Sequence, residues 1–430
     1  MWRTRIVELR TCFRCRDHVQ YIYERDLQNE VPEMNDELNV SIATSVQHAC
    51  GLQLMRFESV FYFALTAHIA NLFGLEETKP RYGCVSGLAS YMAIGHQLDL
   101  AVFVYEYIKH AAIYAPEAVE AIKKNPQYAD LEVVRNNIHT YFKRGRYARK
   151  ADTITQTKLV EYKMDKPDLL YGLRSDISLL FQITGQTRHL VGCDYFIQHC
   201  IFESSREWKG EEFKAFAEFT SSCVNGFSAN VDETEYQFQP LRFPERIPEI
   251  EFFDYKSPAL YARSQLNEAT TFRLMLMLYQ ISYGIILVED LIHPECLAEP
   301  AWLCFTTKLL AIKYDESFDN LVSMLTYSNE SDKRRLQSVL DSHELNPNTL
   351  KSRDCARGLR NTIHFQEIVV NDSLVSGGTP RDHIVSMYLS SAGVNSMDQF
   401  IQYRNYMIEE MKQLQAVIRE IMDVDKVYRY

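Results

Sequence analysis

The segment from Ser396 to Met422 constrains the fold more than any other part of this sequence. Ser396 and Gln399 fit an N-terminal capping box, and the residues that follow place apolar side chains three and four positions apart. These apolar residues are Phe400, Tyr403, Met407, Met411, Leu414, Ile418 and Ile421. A helix with such a stripe is stable when the stripe is buried against other helices. The sequence therefore predicts a predominantly α-helical fold, with a helical bundle in the C-terminal part.

Similar patterns predict further helices on both sides of the chain's midpoint. In the second half they cover 270–293, 301–327, 332–342, 350–365 and 397–422, with Gly377-Gly-Thr-Pro as a loop before the last helix. In the first half, 42–73 and 88–114 are long, broadly apolar segments that we expect to be buried helices.

The length of 430 residues favours two domains. The residue pattern changes between about 225 and 258. Residues 239–248 are rich in proline, and polar and apolar residues alternate in the segments 235–239 and 249–253, as they do in short strands. We therefore predict a second, mostly helical N-terminal domain over 1–240 and a helical bundle domain over 258–430.

Charge and cysteine content exclude several classes of protein. A formal net charge of -11 argues against a surface that coats nucleic acid everywhere, so any polyanion site is a local patch. Ten cysteines are too dilute for a disulfide scaffold, and the first residues carry charges where the apolar part of a signal peptide lies. The longest apolar run, 274–288, is shorter than the ~20 residues that span a bilayer. We expect a cytoplasmic protein with no membrane association and read that run as a buried helix.

The predicted helix over 350–365 collects cationic side chains within roughly a 60° arc. They are Arg353, Arg357, Arg360 and His364. A different side of the helix carries the apolar residues Ala356, Leu359 and Ile363. Like charges at these spacings repel by a few tenths of a kcal/mol per pair, so the face requires either nearby acids or an anionic ligand. Asp354 lies off the stripe and cannot neutralise all of it.

Arginine and histidine together suit the cleavage of RNA without a metal. A guanidinium can donate two parallel hydrogen bonds to a phosphodiester, and a histidine can move the proton of the 2'-hydroxyl or of the leaving group. The alternative is a solvated basic face whose histidine only caps or packs.

The residues Arg357-Gly-Leu-Arg-Asn-Thr-Ile-His364, late in a helical domain, resemble the motif of the HEPN superfamily of nucleases. That motif has an arginine, usually followed by a polar residue, and a histidine on the same helix, with four to six residues between the arginine and the histidine. Six residues separate Arg357 from His364, whereas Arg360 has the polar follower Asn361 but only three residues before His364. Which arginine has the motif role is left open.

The resemblance implies a metal-independent endoribonuclease, often a toxin or an antiviral effector, whose site forms where two such helices meet in a dimer. In this chain it implies that His364 acts as acid, base or positioning residue and that Arg357 and Arg360 hold the scissile phosphate. It also implies that Asn361 orients an arginine or the substrate, and that no cofactor is needed. Some members of the superfamily are inactive, so the alternative is a non-catalytic helical sensor or scaffold used for binding or dimerisation.

A second copy of the pattern occurs in the first half, where Arg135-Asn-Asn-Ile-His139 matches Arg360-Asn-Thr-Ile-His364. A basic run with interleaved tyrosine follows it, as in single-stranded RNA contacts. We therefore predict an RNA-binding set, alongside the four motif residues, of Arg353, Arg135, His139, Lys143, Arg144 and Arg146. The N-terminal domain is then either HEPN-like, so that one chain builds a composite site, or a sensor for a regulatory partner or ligand. The alternative for the basic run is a helix C-terminus stabilised by cations before Gly145.

A metal site receives less support from the sequence. Cys12, Cys15 and His18 have half the spacing of a zinc site, but no second close pair follows them. We therefore predict no metal ligands.

Overall fold

The computed structural model describes residues 36–75, 88–142, 179–183, 188–192, 201–202, 210–229, 231, 240–245, 247, 250–254, 264–365 and 379–423. These residues are predominantly helical, which confirms the predicted fold class.

Among the described residues before 240, five α-helices are labelled α1 to α5. They are α1 Asp36–Asn71, continued by a 3-10 turn at Leu72–Gly74, then α2 Leu88–Ala111, α3 Pro116–Lys123, α4 Pro126–Phe142 and α5 Gly210–Ser228. The predicted helices over 42–73 and 88–114 correspond to α1 and α2, whereas α5 was not predicted.

Among the described residues after 258, the α-helices are labelled α6 to α12. They are α6 Glu268–Ile286, continued by a π-helical turn at Leu287–Leu291, α7 Pro294–Leu297, α8 Pro300–Tyr327, α9 Glu330–Ser342, α10 Arg353–Asn361 with a 3-10 turn at Thr362–His364, α11 Pro380–Ser391 and α12 Met397–Met422. Ser396 accepts a hydrogen bond from the backbone nitrogen of Gln399, as the predicted capping box requires. The Gln399 side chain accepts from the backbone nitrogen of Asn395, one residue before the predicted partner.

Three short strands form an antiparallel sheet in the order β2-β1-β3. They are β1 Leu179–Ile183, β2 Arg188–Gly192 and β3 Ile250–Asp254. The strand predicted at 249–253 is confirmed as β3. The segment 235–239 lies outside the described residues, and β1 and β2 were not predicted.

Helix α6 lies in the centre of the helical part. The stretch Glu268–Leu291 is long and apolar enough to cross a membrane by length and composition, and its most apolar window is 100% buried inside the protein. The prediction of a buried helix over 274–288 is therefore confirmed, since its apolar surface is covered by other helices such as α8 and α12.

The two segments on either side of 240–258 share one hydrophobic core. Tyr91 of α2 and Tyr279 of α6 each donate a hydroxyl hydrogen bond to the other's backbone carbonyl, at 3.0 and 2.6 Å. The core of the described residues is therefore continuous across the predicted domain boundary. That either side forms a domain of its own stays a prediction.

Helix α11 falls where the sequence analysis placed only a loop before the last helix. Thr379 accepts from the backbone nitrogen of Asp382, and the Asp382 carboxylate accepts from the backbone nitrogen of Thr379, which is a complete capping box with Pro380 as first helical residue. That Thr-Pro-x-Asp pattern is the signal that predicts this helix start.

Candidate functional site

Helix α10 is fixed by its apolar side and by one glycine. Ala356 and Leu359 are fully buried, as predicted. A Cβ atom on Gly358 would overlap the backbone carbonyl of Ser391, at the end of α11. Only glycine allows this close approach, so α10 is pressed against α11 and its cationic side is turned toward α8.

The acids that the cationic face requires come from α8. Arg353 donates to Asp319 Oδ1 at 2.8 Å and to the carbonyl of Pro347. This predicted RNA-binding residue therefore hydrogen-bonds to other residues of the chain. Arg357 lies 3.8 Å from both Asp315 Oδ1 and Asp319 Oδ1, and Arg360 lies 3.7 Å from Asp315 Oδ2. The repulsion expected from the sequence is therefore offset within the fold.

These contacts leave the two motif arginines with hydrogen-bonding capacity. Neither oxygen of Asp315 accepts a hydrogen bond from the described residues, although this side chain is buried. Burial raises the pKa of Asp315, the charge of Asp319 adds to the rise, and the three arginines oppose it. Arg357 is 41% exposed, so its guanidinium can still donate to an anion from solution.

Asn361 holds the second motif arginine. Its Oδ1 accepts a hydrogen bond of 3.3 Å from Arg360 Nη1. That Asn361 orients an arginine in an active site stays a prediction.

His364 lies in the 3-10 turn after α10 and contacts a carboxylate from the first half of the chain. Its Nδ1 is 3.4 Å from Oε2 of Glu106, a residue of α2 whose side chain is 4% exposed. Oε1 of the same carboxylate accepts a hydrogen bond of 2.9 Å from Arg135 of α4. Lys109 Nζ lies 3.7 Å from Oε2. Glu106 thus joins the two sequence motifs.

The charge state of Glu106 follows from these neighbours. Burial alone raises the pKa of its carboxyl, but the hydrogen bond and charge of His364, the hydrogen bond of Arg135 and the charge of Lys109 outweigh burial and lower the pKa to about 2. The side chain is therefore ionised at neutral pH.

Two members of the predicted RNA-binding set, Arg135 and His139, lie on α4. Arg135 is 17% exposed and its guanidinium lies over the Tyr105 ring, 4.9 Å from the centroid. His139 follows one turn later on α4 and is half-buried. Lys143, Arg144 and Arg146 lie outside the described residues. Sequence reasoning did not single out Glu106, because one acid in an apolar helix carries no local signal of its partners.

A small cavity of about 20 Å³ lies directly behind the motif, lined in part by Ile363 and Phe365. Its polar lining consists of Glu58, Tyr62, Asp99, Gln280, Lys308, Lys313 and Glu316. This volume is enough for about one water molecule. Both amide atoms of Gln280 lack a hydrogen-bond partner among the described residues, which fits a hydrated cavity.

Two buried ion pairs form part of that lining. Lys308 Nζ donates to both oxygens of Glu58 at 2.5 and 2.7 Å, and Lys313 pairs with Asp99. These four residues were not predicted, although a charged residue within an otherwise apolar helix is the sequence signal of such a pair.

Phe365, the residue after His364, has a positive φ of 24°. Its carbonyl is so close to Gly51 of α1 that a Cβ atom there would overlap it. The end of the motif is thus held against α1 in a backbone conformation that side-chain-bearing residues rarely adopt.

Among the residues that the structure describes, no group of three or more His, Cys, Asp or Glu side chains is arranged to hold a metal ion. Cys12, Cys15 and His18 lie outside those residues. No protein-family model, curated protein or solved structure matches this chain.

Proposed function

We propose that this chain is a metal-independent endoribonuclease of the HEPN type, with Arg357, Arg360, Asn361 and His364 as its active site. One observation carries the proposal. Two arginines that keep donors available share a partly exposed face with a histidine that contacts a carboxylate through Nδ1. These are the groups needed to bind a phosphodiester and to move a proton.

The reaction uses the RNA's own 2'-hydroxyl. His364 takes the 2'-hydroxyl proton, the 2'-oxygen forms a bond to phosphorus, and the bond from phosphorus to the 5'-oxygen breaks. The 5'-oxygen leaves with a proton from the site or from water. Arg357 and Arg360 stabilise the charge that develops on the phosphoryl oxygens. The products carry a 2',3'-cyclic phosphate and a 5'-hydroxyl.

A second candidate function is a non-catalytic helical sensor or scaffold. The position of Asp315 and Asp319 favours it, because these carboxylates supply the negative charge that an RNA phosphate supplies in the nuclease proposal. In that case the face stabilises the fold, and the chain acts by binding or dimerisation.

The setting of the activity is part of the same proposal. A cytoplasmic toxin or antiviral effector fits a ribonuclease of this type, with a regulatory partner or ligand at residues 1–240. The active form is a homodimer with two α10 helices facing each other, or a monomer in which α4 supplies Arg135. Light scattering of the purified chain with and without RNA distinguishes these forms.

The test is cleavage of a structured and an unstructured RNA by the purified chain in EDTA, with product ends identified by mass spectrometry. The nuclease proposal predicts cleavage with 2',3'-cyclic phosphate ends and no cleavage of the DNA of the same sequence. Cleavage of DNA, or cleavage only when Mg²⁺ is restored, contradicts the mechanism. RNA binding without cleavage supports the scaffold function.

A further inference from the structure

Glu106 contacts a residue of each Arg/His motif. Each carboxylate oxygen contacts one motif: Oε1 lies 2.9 Å from Arg135 Nη2, and Oε2 lies 3.4 Å from His364 Nδ1. A side chain that is only 4% exposed has little freedom to rotate. The position of the two oxygens is therefore set by the packing of α2.

A carboxylate at Nδ1 determines how a neutral imidazole can act. The carboxylate accepts the Nδ1 proton, so the other ring nitrogen, Nε2, keeps its lone pair and can serve as a base. The ring also loses rotational freedom, which places Nε2 in one direction. His364 is 32% exposed, so part of the ring remains accessible while the carboxylate is buried.

Arg135 holds this carboxylate in turn. Its hydrogen bond takes up the oxygen that His364 leaves free, and its guanidinium is packed on the Tyr105 ring. A buried carboxylate with a single partner is costly, whereas a carboxylate with a hydrogen-bonding partner on each oxygen, one of them an arginine, is better compensated. Arg135, the arginine of the second motif copy, therefore stabilises a buried carboxylate.

We propose that Glu106 is a positioning residue, which holds His364 through Nδ1 so that Nε2 meets the RNA, and that Arg135 fixes Glu106 for this purpose. The proposal rests on the proposed ribonuclease function. It changes the expected role of Arg135 from RNA binding to support of the histidine.

The first test compares Glu106→Gln and Glu106→Asp with the wild-type chain in steady-state cleavage of a short RNA. We expect kcat to fall by about 10- to 100-fold in Glu106→Gln with little change in KM, by analogy with the carboxylates that orient metal-bound histidines, whose loss costs about this much. Glu106→Asp keeps the charge and should recover part of kcat. Arg135→Gln should lower kcat in the same way.

The matched control is Glu420→Gln. Glu420 Oε2 pairs with His343 Nε2 at 2.8 Å, which is the same kind of contact outside the motif. This variant should keep the wild-type kcat. A Glu106→Gln chain that is folded and cleaves RNA as fast as the control overturns the positioning role, while the ribonuclease function stands.

The second test does not depend on cleavage. In the full chain labelled with ¹⁵N-histidine, NMR at a pH where His364 is neutral should show the proton of this ring on Nδ1. Glu106→Ala, which removes the acceptor, should shift it toward Nε2 and leave His343 unchanged. A proton on Nε2 in the wild-type chain overturns the proposal whether or not RNA is cleaved. A proton on Nδ1 in a chain that cleaves no RNA leaves the contact established and the ribonuclease function refuted.

Discussion

Replacing Lys308 with methionine tests the buried ion pair of Lys308 and Glu58, which lines the cavity behind the Arg/His motif. Lys308 of α8 is 1% exposed, and Glu58 of α1 is fully buried. Burial lowers the pKa of Lys308, and the paired carboxylate opposes that shift. Methionine has a similar length without the charge, so Lys308→Met leaves the Glu58 carboxylate with the hydroxyl of Tyr388, at 2.6 Å, as its remaining described donor.

The expected cost follows from this loss of a partner. Removing one member of a buried ion pair leaves an uncompensated charge and lowers the free energy of unfolding by about 3–5 kcal/mol. The double variant Lys308→Met/Glu58→Gln removes both charges, so it should be more stable than Lys308→Met. The two substitutions should therefore be non-additive by at least about 1 kcal/mol.

The assay is urea unfolding followed by circular dichroism. Lys333→Met is the matched control, because Lys333 pairs with Glu330 at an exposed position of α9, where such pairs contribute about 0–1 kcal/mol. If Lys308→Met costs no more than Lys333→Met, then α1 and α8 do not enclose a buried ion pair and the reasoning fails.

Three further predictions concern the site and its surroundings. Gly358→Ala should destabilise the chain by about 1–3 kcal/mol, because the added Cβ overlaps the Ser391 carbonyl. Gly284→Ala is the control and should be tolerated, because its Cβ meets only side-chain atoms at 3.4 Å or more. Thermal unfolding of the two variants measures the difference. Burial, with smaller effects of neighbouring charges, raises the pKa of Glu316 to about 7. Its ionisation therefore lowers the stability of the fold as pH rises from about 4.5 to 7. Glu316→Gln should be more stable than the wild type at pH 8, and this advantage should disappear near pH 4. The pKa of Glu106 is lowered from 4.5 to about 2 despite its burial. Its ionised form therefore stabilises the fold above pH 4.5, and this contribution is lost as pH falls toward 2. In urea unfolding at several pH values, the free energies of unfolding of the wild type and Glu106→Gln should converge in acid.

Local patterns predicted much of the helical structure. The apolar stripe and the cap of α12 are both read from adjacent residues, and its predicted bounds, Met397–Met422, are those observed. The apolar side of α10 was predicted correctly for the same reason. Helix α11 was missed because the Gly377-Gly378 pair was given more weight than the capping box at Thr379 and Asp382.

The partners of the cationic face could not be predicted from the sequence. Asp315 and Asp319 lie on α8, and Glu106 lies on α2, so each reaches α10 only through the packing of the bundle. The sequence required acids or an anionic ligand near the arginines, but it did not distinguish between them. Likewise, the repeated motif drew attention to Arg135, whereas its contact with Glu106 depends on the placement of α4 beside α2.

The most direct test of the central claim is RNA cleavage in EDTA by the wild-type chain, His364→Ala and His343→Ala. His364→Ala should stay folded, because Glu106 keeps its hydrogen bond to Arg135, and should lose cleavage. His343→Ala removes a histidine with a similar carboxylate contact outside the motif and should cleave as the wild type does. Full activity in a folded His364→Ala chain would show that the Arg/His face is not the catalytic site.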